Sequence, residues 1–174
     1  MFKLLLATRG LAVLLLGIFA GGVAFTVIAP SLMELPGPDY TRYWQALNVD
    51  YGRAMPILLM TSIVLVLITT ILSYRRGNLI FVLSVLALLL IVLTVALTLT
   101  MMEPLNQLAD TWDPDQLPAD WEEVRQRWLA LHTVRTVLAV GAFAALLAAH
   151  TVNRASAPLQ VNADKIQIGS TGAR

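Results

Sequence analysis

The sequence of 174 residues contains no cysteine, which removes disulfides, thiolate metal sites and thiol nucleophiles together. It contains only two histidines, His132 and His150. On one helix these would lie about 27 Å apart, so they cannot share a metal ion within a chain. Charge is scarce as well: 13% of residues are charged and 57% are hydrophobic, against about 25% charged in a soluble domain. Lipid is therefore the expected solvent. No phosphate-binding loop, zinc-protease motif or haem-attachment motif is present, and no internal repeat. No basic stripe points to a nucleic acid partner.

What is present is four charge-free runs, at residues 10–30, 54–74, 77–102 and 136–150. Crossing a hydrocarbon core of about 30 Å takes about 20 apolar residues. The first three runs reach that length, and the fourth reaches it by starting near Leu129 and taking His132 and Arg135 into the membrane. These patterns predict an all-α, integral membrane four-helix bundle with two longer outer loops, its spans at 10–30, 54–74, 77–102 and 129–150. Residues 1–153 form the transmembrane domain and 154–174 a flexible cytoplasmic tail. Lys3 and Arg9 before an apolar run also fit a signal peptide, but the run is long and lacks a clear small-residue cleavage site, so a retained helix is expected.

Seven of the twelve basic residues (Lys3, Arg9, Arg75, Arg76, Arg154, Lys165 and Arg174) fall at the two ends and the middle turn, with Asp164 the one acidic residue among them. Residues 103–127 carry Glu103, Asp110, Asp113, Asp115, Asp120, Glu122 and Glu123 instead. The positive-inside rule places both termini in the cytoplasm of a multi-pass cell-membrane protein and this acidic segment outside. Tyr74 to Asn78 reads as a tight turn joining two antiparallel helices.

The densest polar constellation lies between Trp121 and Arg135. Asp120 followed by Glu123 resembles a capping box and predicts a helix start. On that helix Trp121, Arg125, Trp128, His132 and Arg135 fall on one stripe. The stripe either anchors the helix at the interface or turns inward as a polar pocket. Arg135 lies inside the apolar boundary, where a central arginine costs about 2.5–3.5 kcal/mol even on insertion scales, so it is expected to face the interior with a partner. Glu103 is the expected partner by topology. Pro104 predicts an end or kink of the third helix, with Arg135 or Asn106 supplying donors to the freed carbonyls. Gln45 and Asn48 read as part of a solvated loop, His150 as an interface residue, and Gly17, Gly21 and Gly22 as a close-packing face of the first helix.

Pro104-x-Asn106, a Trp-containing outer loop and Trp128-x-x-x-His132-x-x-Arg135 in that order resemble the anthrone oxygenase-like family, over roughly residues 11–150. A glycine-rich first helix and a Pro-containing loop with Asn48 fit the same pattern. Family members often show Asn-x-Pro-x-Asn, whereas Met102 occupies the first position here. The resemblance implies oxygenation of a flat, apolar anthrone-like compound by O2 without an organic cofactor. His132 would be the base, Arg135 and Asn106 would stabilise the oxyanion, and Trp128 and Trp121 would stack on a substrate also met by Asn48 and Glu103. A mononuclear metal at His132 and Glu103 would have an incomplete ligand set. The expected partners are the lipid bilayer and an apolar aromatic small molecule, and a homo-oligomer is compatible with the sequence. The competing class is a non-enzymatic scaffold or accessory subunit whose Trp/His/Arg stripe is structural. A transporter is disfavoured, because four helices leave little room for alternating access.

The orientation is directly testable. Cysteine introduced at Asp115 should be labelled by an impermeant reagent from outside, and cysteine at Asn78 should not; the reverse pattern would invert the topology.

Overall fold

In the computed structural model, which describes residues 2–75 and 77–155, every regular element is helical. The tail expected from residue 154 onward falls almost wholly outside the described residues. The elements are α1 (Phe2–Ile28), a 3-10 turn (Pro30–Glu34), α2 (Gly37–Ser73), α3 (Asn78–Leu97), a π-helical stretch (Thr98–Met102), α4 (Glu103–Asp110) and α5 (Trp121–Ala155). Four stretches are long and apolar enough to cross a membrane: Leu4–Ile28, Gly37–Ser73, Asn78–Asp110 and Trp121–Val152. The chain is a four-helix membrane bundle.

Its surface supports that conclusion. Large apolar side chains point outward on every long helix, with Leu14 58%, Ile57 71%, Leu89 57% and Val137 67% exposed. A soluble protein could not carry such continuous apolar cover. The interior sets many small and hydroxylated residues, among them Ala12, Ala87, Ala139, Ala142, Ser62, Ser73 and Ser84, between larger ones such as Leu16, Phe19, Ile91 and Leu146. Lipid tails solvate leucine as well as a core does, so close backbone approach and internal hydrogen bonds hold the helices together. The buried hydroxyls bond back to the carbonyl four residues earlier, as Ser62 does to Leu58 at 2.7 Å and Ser84 to Ile80 at 2.8 Å.

The helices form a ring in which α1 packs on α2 and α5, and α3 packs on α2 and α5, leaving α2 and α5 nearly diagonal. The α2–α3 turn reverses at Gly77, whose φ of 128° only glycine adopts without strain. Of the three first-helix glycines, Gly17 meets α5: a Cβ there would lie 3.0 Å from the Phe143 ring. Gly22 faces Met55 of α2, and Gly21 faces open space.

Two boundaries differ from the expectation. The outer segment before residue 54 is helical from Gly37, so Gln45 and Asn48 sit on α2 rather than in a solvated loop. Loss of apolarity marks the edge of the membrane, not the end of a helix, and Pro38 with Asp39 in the first turn suits a helix start. Among the described residues, 111–120 are therefore the one long non-helical connection at that end of the bundle. The second observation concerns Arg9, counted from the sequence only among the basic residues flanking the first span. It is fully buried, donating from Nη1 to the Ala149 carbonyl at 2.9 Å and from Nη2 to Ser73 Oγ at 2.6 Å. It thus ties α1 to α5 and α2.

Gly17→Leu should destabilise the bundle in a detergent melt by about 1–3 kcal/mol through overpacking on Phe143. Gly21→Leu, entering open space, should melt like the parent; equal behaviour of the two would contradict this α1–α5 packing.

Candidate functional site

The end of the bundle that carries the start of α2, α4 and the start of α5 is built differently from the rest. Tyr40, Trp44, Met102, Leu105, Ala109 and Trp128 form a second buried core there. The Trp44 ring lies 5.2 Å from Trp128, 5.9 Å from Trp112 and 5.8 Å from Tyr40, centroid to centroid. Such rings bring large apolar area together with indole N–H groups that need acceptors. Asn106 supplies one acceptor for two of them: its Oδ1 takes Trp128 Nε1–H at 2.8 Å and Trp44 Nε1–H at 3.2 Å. Indoles only donate, so the two bonds fix which way the Asn106 amide points. Its Nδ2 is then turned to Glu103 and donates to Oε2 at 3.3 Å, while Gln107 Nε2 donates to Oε1 at 3.2 Å.

Pro104 shapes this corner. It lacks the amide that would bond the Thr100 carbonyl, and its ring crowds that turn. The helix answers by widening rather than ending: Thr98–Met102 is π-helical, and the Glu103 amide donates to the Thr98 carbonyl. The chain then continues as α4 to Asp110. Single π turns of this kind cluster at functional sites. From α2, Asn48 Nδ2 reaches Asp110 Oδ1 at 2.9 Å and the Asn106 carbonyl at 3.4 Å. Gln45 Nε2 donates to the carbonyls of Ala109 and Trp112, both at 2.9 Å. The two amides expected in a loop are latches between α2 and α4.

On α5, His132 is 1% exposed and both of its ring nitrogens are engaged. Nε2 lies 2.7 Å from the Val23 carbonyl of α1, which can only accept, so Nε2 carries the proton. Nδ1 is then the acceptor for Arg135 Nη2 at 2.7 Å. Thr136 Oγ1 adds bonds to the His132 carbonyl at 2.9 Å and to Val23 at 3.3 Å. The expected Arg135–Glu103 ion pair does not form. No carboxylate pairs with Arg135 among the described residues, where the ion pairs are Arg42 with Asp39 and Asp115, and Arg125 with Glu122. The physical reason lies in the partners: neutral groups already hold both charges, the carboxylate through Asn106 and the guanidinium through His132. Arg135 Nε and Nη1 find no acceptor among the described residues.

Between these networks lies a cavity of about 440 Å³, within the ~300–1,000 Å³ typical of small-molecule sites. Its polar end carries Asn48, Glu103, Asn106, Asp110, Tyr51 and Arg135, and the remainder is mostly apolar, with Phe19, Met55, Leu59 and Val95 on its walls. Four of the seven residues singled out from the sequence thus line one cavity: Asn48, Glu103, Asn106 and Arg135. The other three do not line it. His132 sits behind Arg135, and Trp128 is 4% exposed within the aromatic core, 4.8 Å from the His132 ring. Trp121 packs where a Cβ on Gly37 would come within 2.9 Å of it, and Arg125 stacks on its ring at 4.8 Å. Met102, standing where the family often has Asn, is fully buried in the aromatic core. Among the described residues no three His, Asp or Glu side chains are grouped to hold a metal ion.

The sequence model of the anthrone oxygenase family matches residues 44–145, well over half of the chain. The chain belongs to that family. The match begins at Trp44 and ends within α5, so it takes in the aromatic core except Tyr40, both latching amides, the π turn and the His132–Arg135 pair, and leaves α1 outside. Searches of curated proteins and of solved structures gave no match. Trp44 was missed at the sequence level, although it opens the matched region; its spacing of four from Tyr40 and from Asn48 was the available signal.

Replacing Asn106 with Leu leaves two buried indole donors without an acceptor, and should cost about 1–3 kcal/mol for each. Trp44→Phe should cost less in the Asn106→Leu background than in the parent. Additive losses in that double-mutant cycle would show that the Trp44–Asn106 bond contributes nothing.

Proposed function

We propose that this anthrone oxygenase family member is a membrane-embedded oxygenase of flat, apolar aromatic compounds carrying a CH2 group between two rings and a carbonyl across from it, with both chain termini on the cytoplasmic side. The observation that carries the reading is the polar end of an apolar cavity on which a carboxylate and a guanidinium are held by separate networks instead of by each other. Glu103 takes a proton from the CH2. The charge left behind spreads to the carbonyl oxygen, which Arg135 stabilises with a guanidinium nitrogen free of protein acceptors. The enolate is oxidised by O2, and a carbon–oxygen bond forms at the former CH2 to give a peroxide. Loss of water then leaves a second carbonyl. One atom of O2 ends in the quinone and the other in water, so anthrone and O2 become anthraquinone and water.

His132, expected from the sequence as the base, fits a different role. Its protonated nitrogen faces Val23 and its lone pair is occupied by Arg135. It is a positioning residue that aims Arg135 at the cavity. Asn106 does the same for Glu103, and its amide orientation is set by the two indoles. Carboxylate and guanidinium are a matched pair for this chemistry: one takes the proton, the other holds the charge that the proton leaves.

Oxygen uptake by the purified protein with anthrone, with and without a chelator, tests the reading. Glu103→Gln should lower turnover by about 100- to 10,000-fold, the range of positioned acid–base catalysis. His132→Ala should also impair it, whereas His132→Gln should restore a large part, since an amide can donate to Val23 and accept from Arg135 together. A dead His132→Gln beside an active Glu103→Gln would return the base to His132. Chelator sensitivity would bring a metal into the mechanism, and a parent protein inactive on anthrone and its phenolic derivatives would favour the scaffold.

A further inference from the structure

Two helical defects face each other across the cavity. In α2, Pro56 lacks the amide that would bond the Gly52 carbonyl one turn earlier, and both residues lie on the cavity wall. In α3, the π turn ahead of Pro104 places Thr98 and Leu99 on the opposite wall. Irregular backbone at membrane depth is tolerated where it is buried in protein or lines a cavity. Several residues of this wall are also outer surface: Gly52 and Pro56 are exposed, Met60 is 57% exposed and Leu99 64%. The cavity therefore opens sideways, between α2 and α3.

The two ends of that seam are fastened, and its middle is not. At one end Thr70 Oγ1 donates to the Ser84 carbonyl at 3.2 Å. At the other, Asn48 and Gln45 bond to α4 and to Trp112 just beyond it, beside the aromatic core. Among the described residues no hydrogen bond joins α2 to the third span between these points. Met60 lies seven residues past Arg53, about 10 Å along the helix from the last charge of α2, so this side of the mouth reaches hydrocarbon depth. The surface around it is apolar: Ile57, Met60, Val64 and Leu99.

We propose that the cavity is loaded from the bilayer through this α2–α3 mouth, and that its ligand is a lipid-partitioned, flat ring compound with a hydrogen-bond-accepting oxygen at the edge that enters first. The oxygen travels inward to Arg135 while the ring system stays among Phe19, Met55, Leu59 and Val95. This route rests on the cavity being the substrate site, as proposed above, but not on the oxidation chemistry.

The residue that makes the mouth testable is Gly52, because a Cβ there meets nothing within 4 Å. Gly52→Phe can therefore fill the mouth without displacing a neighbour, and Gly21→Phe, also in open space but off the cavity wall, is its control. The probe is anthraquinone, and the readout is its association and dissociation with the protein in proteoliposomes, followed by quenching of intrinsic tryptophan fluorescence. Gly52→Phe should slow both rates by about tenfold and leave their ratio nearly unchanged, as obstruction of a path does. Doubling the lipid at fixed total probe should halve the association rate of the parent, since the probe is diluted in the bilayer. Rates in Gly52→Phe equal to those of Gly21→Phe, or association that follows the aqueous probe concentration alone, would overturn lateral entry and leave the oxygenase reading standing. Binding with slowed rates but no oxygen uptake on anthrone would support the mouth and sink the oxidation chemistry. No binding by the parent would sink both.

Discussion

Arg135 carries a guanidinium into the bundle without a carboxylate beside it, and its place there is set by one imidazole. The His132 ring spans from the Val23 carbonyl of α1 to Arg135 Nη2, with 2.7 Å contacts on both sides. The relay takes a backbone acceptor from one helix and turns it into a side-chain acceptor on another. A paired carboxylate would have stabilised the cation more directly, but would also have consumed it. Holding it through a neutral ring leaves part of the guanidinium without a protein acceptor, on a residue that lines the cavity. Glu103 is treated alike, held by the amides of Asn106 and Gln107. Opposite charges lining one cavity, each held by neutral groups and not by the other, are the feature on which the proposed oxygenase reading rests.

That arrangement depends on how the rest of the bundle is packed. Through most of its depth the protein is held by small residues and by hydroxyls bonded within their own helices, which bring backbones close but place few side-chain polar groups between helices. The end that carries α4 replaces this with an aromatic core, and aromatic cores bring N–H donors with them. Asn106 meets that demand, and its orientation follows. The π turn before Pro104 is part of the same solution: it carries the third span past a proline without ending it, so that Glu103, Asn106 and Asp110 all reach the cavity wall.

The sequence showed the fold almost completely, because segregation of charge from long apolar runs leaves a chain of this length few alternatives. The start of α5 at Trp121 was legible from Asp120 and Glu123, and the disturbance at Pro104 from the missing amide. The start of α2 was not legible, since Tyr40 to Arg53 is polar and aromatic and looks like an interfacial loop; its helical state comes from packing on α4 and on Trp121. For the site, Arg135 was found as a charge with no role in a lipid-facing helix and Glu103 as its expected partner, while Asn106 and Asn48 entered through the Pro104 element and the family resemblance. Which of them touch was beyond reach: helical spacing puts His132 and Arg135 on one stripe, but cannot tell that the imidazole is occupied by the arginine rather than shared with Glu103. Trp44 and Arg9 were missed for the same reason, because each is defined by partners on other helices.

The tautomer of His132 is the most direct measurement of this arrangement. Nitrogen NMR on protein labelled at its histidines, with His150→Gln to assign the signals, reports which ring nitrogen bears the proton. The expected result is a neutral ring protonated at Nε2, with a hydrogen-bonded lone pair at Nδ1 whose signal moves in Arg135→Met. A ring protonated at Nδ1, or an Nδ1 signal indifferent to Arg135→Met, would contradict the relay and with it the assignment of His132 as the residue that aims Arg135.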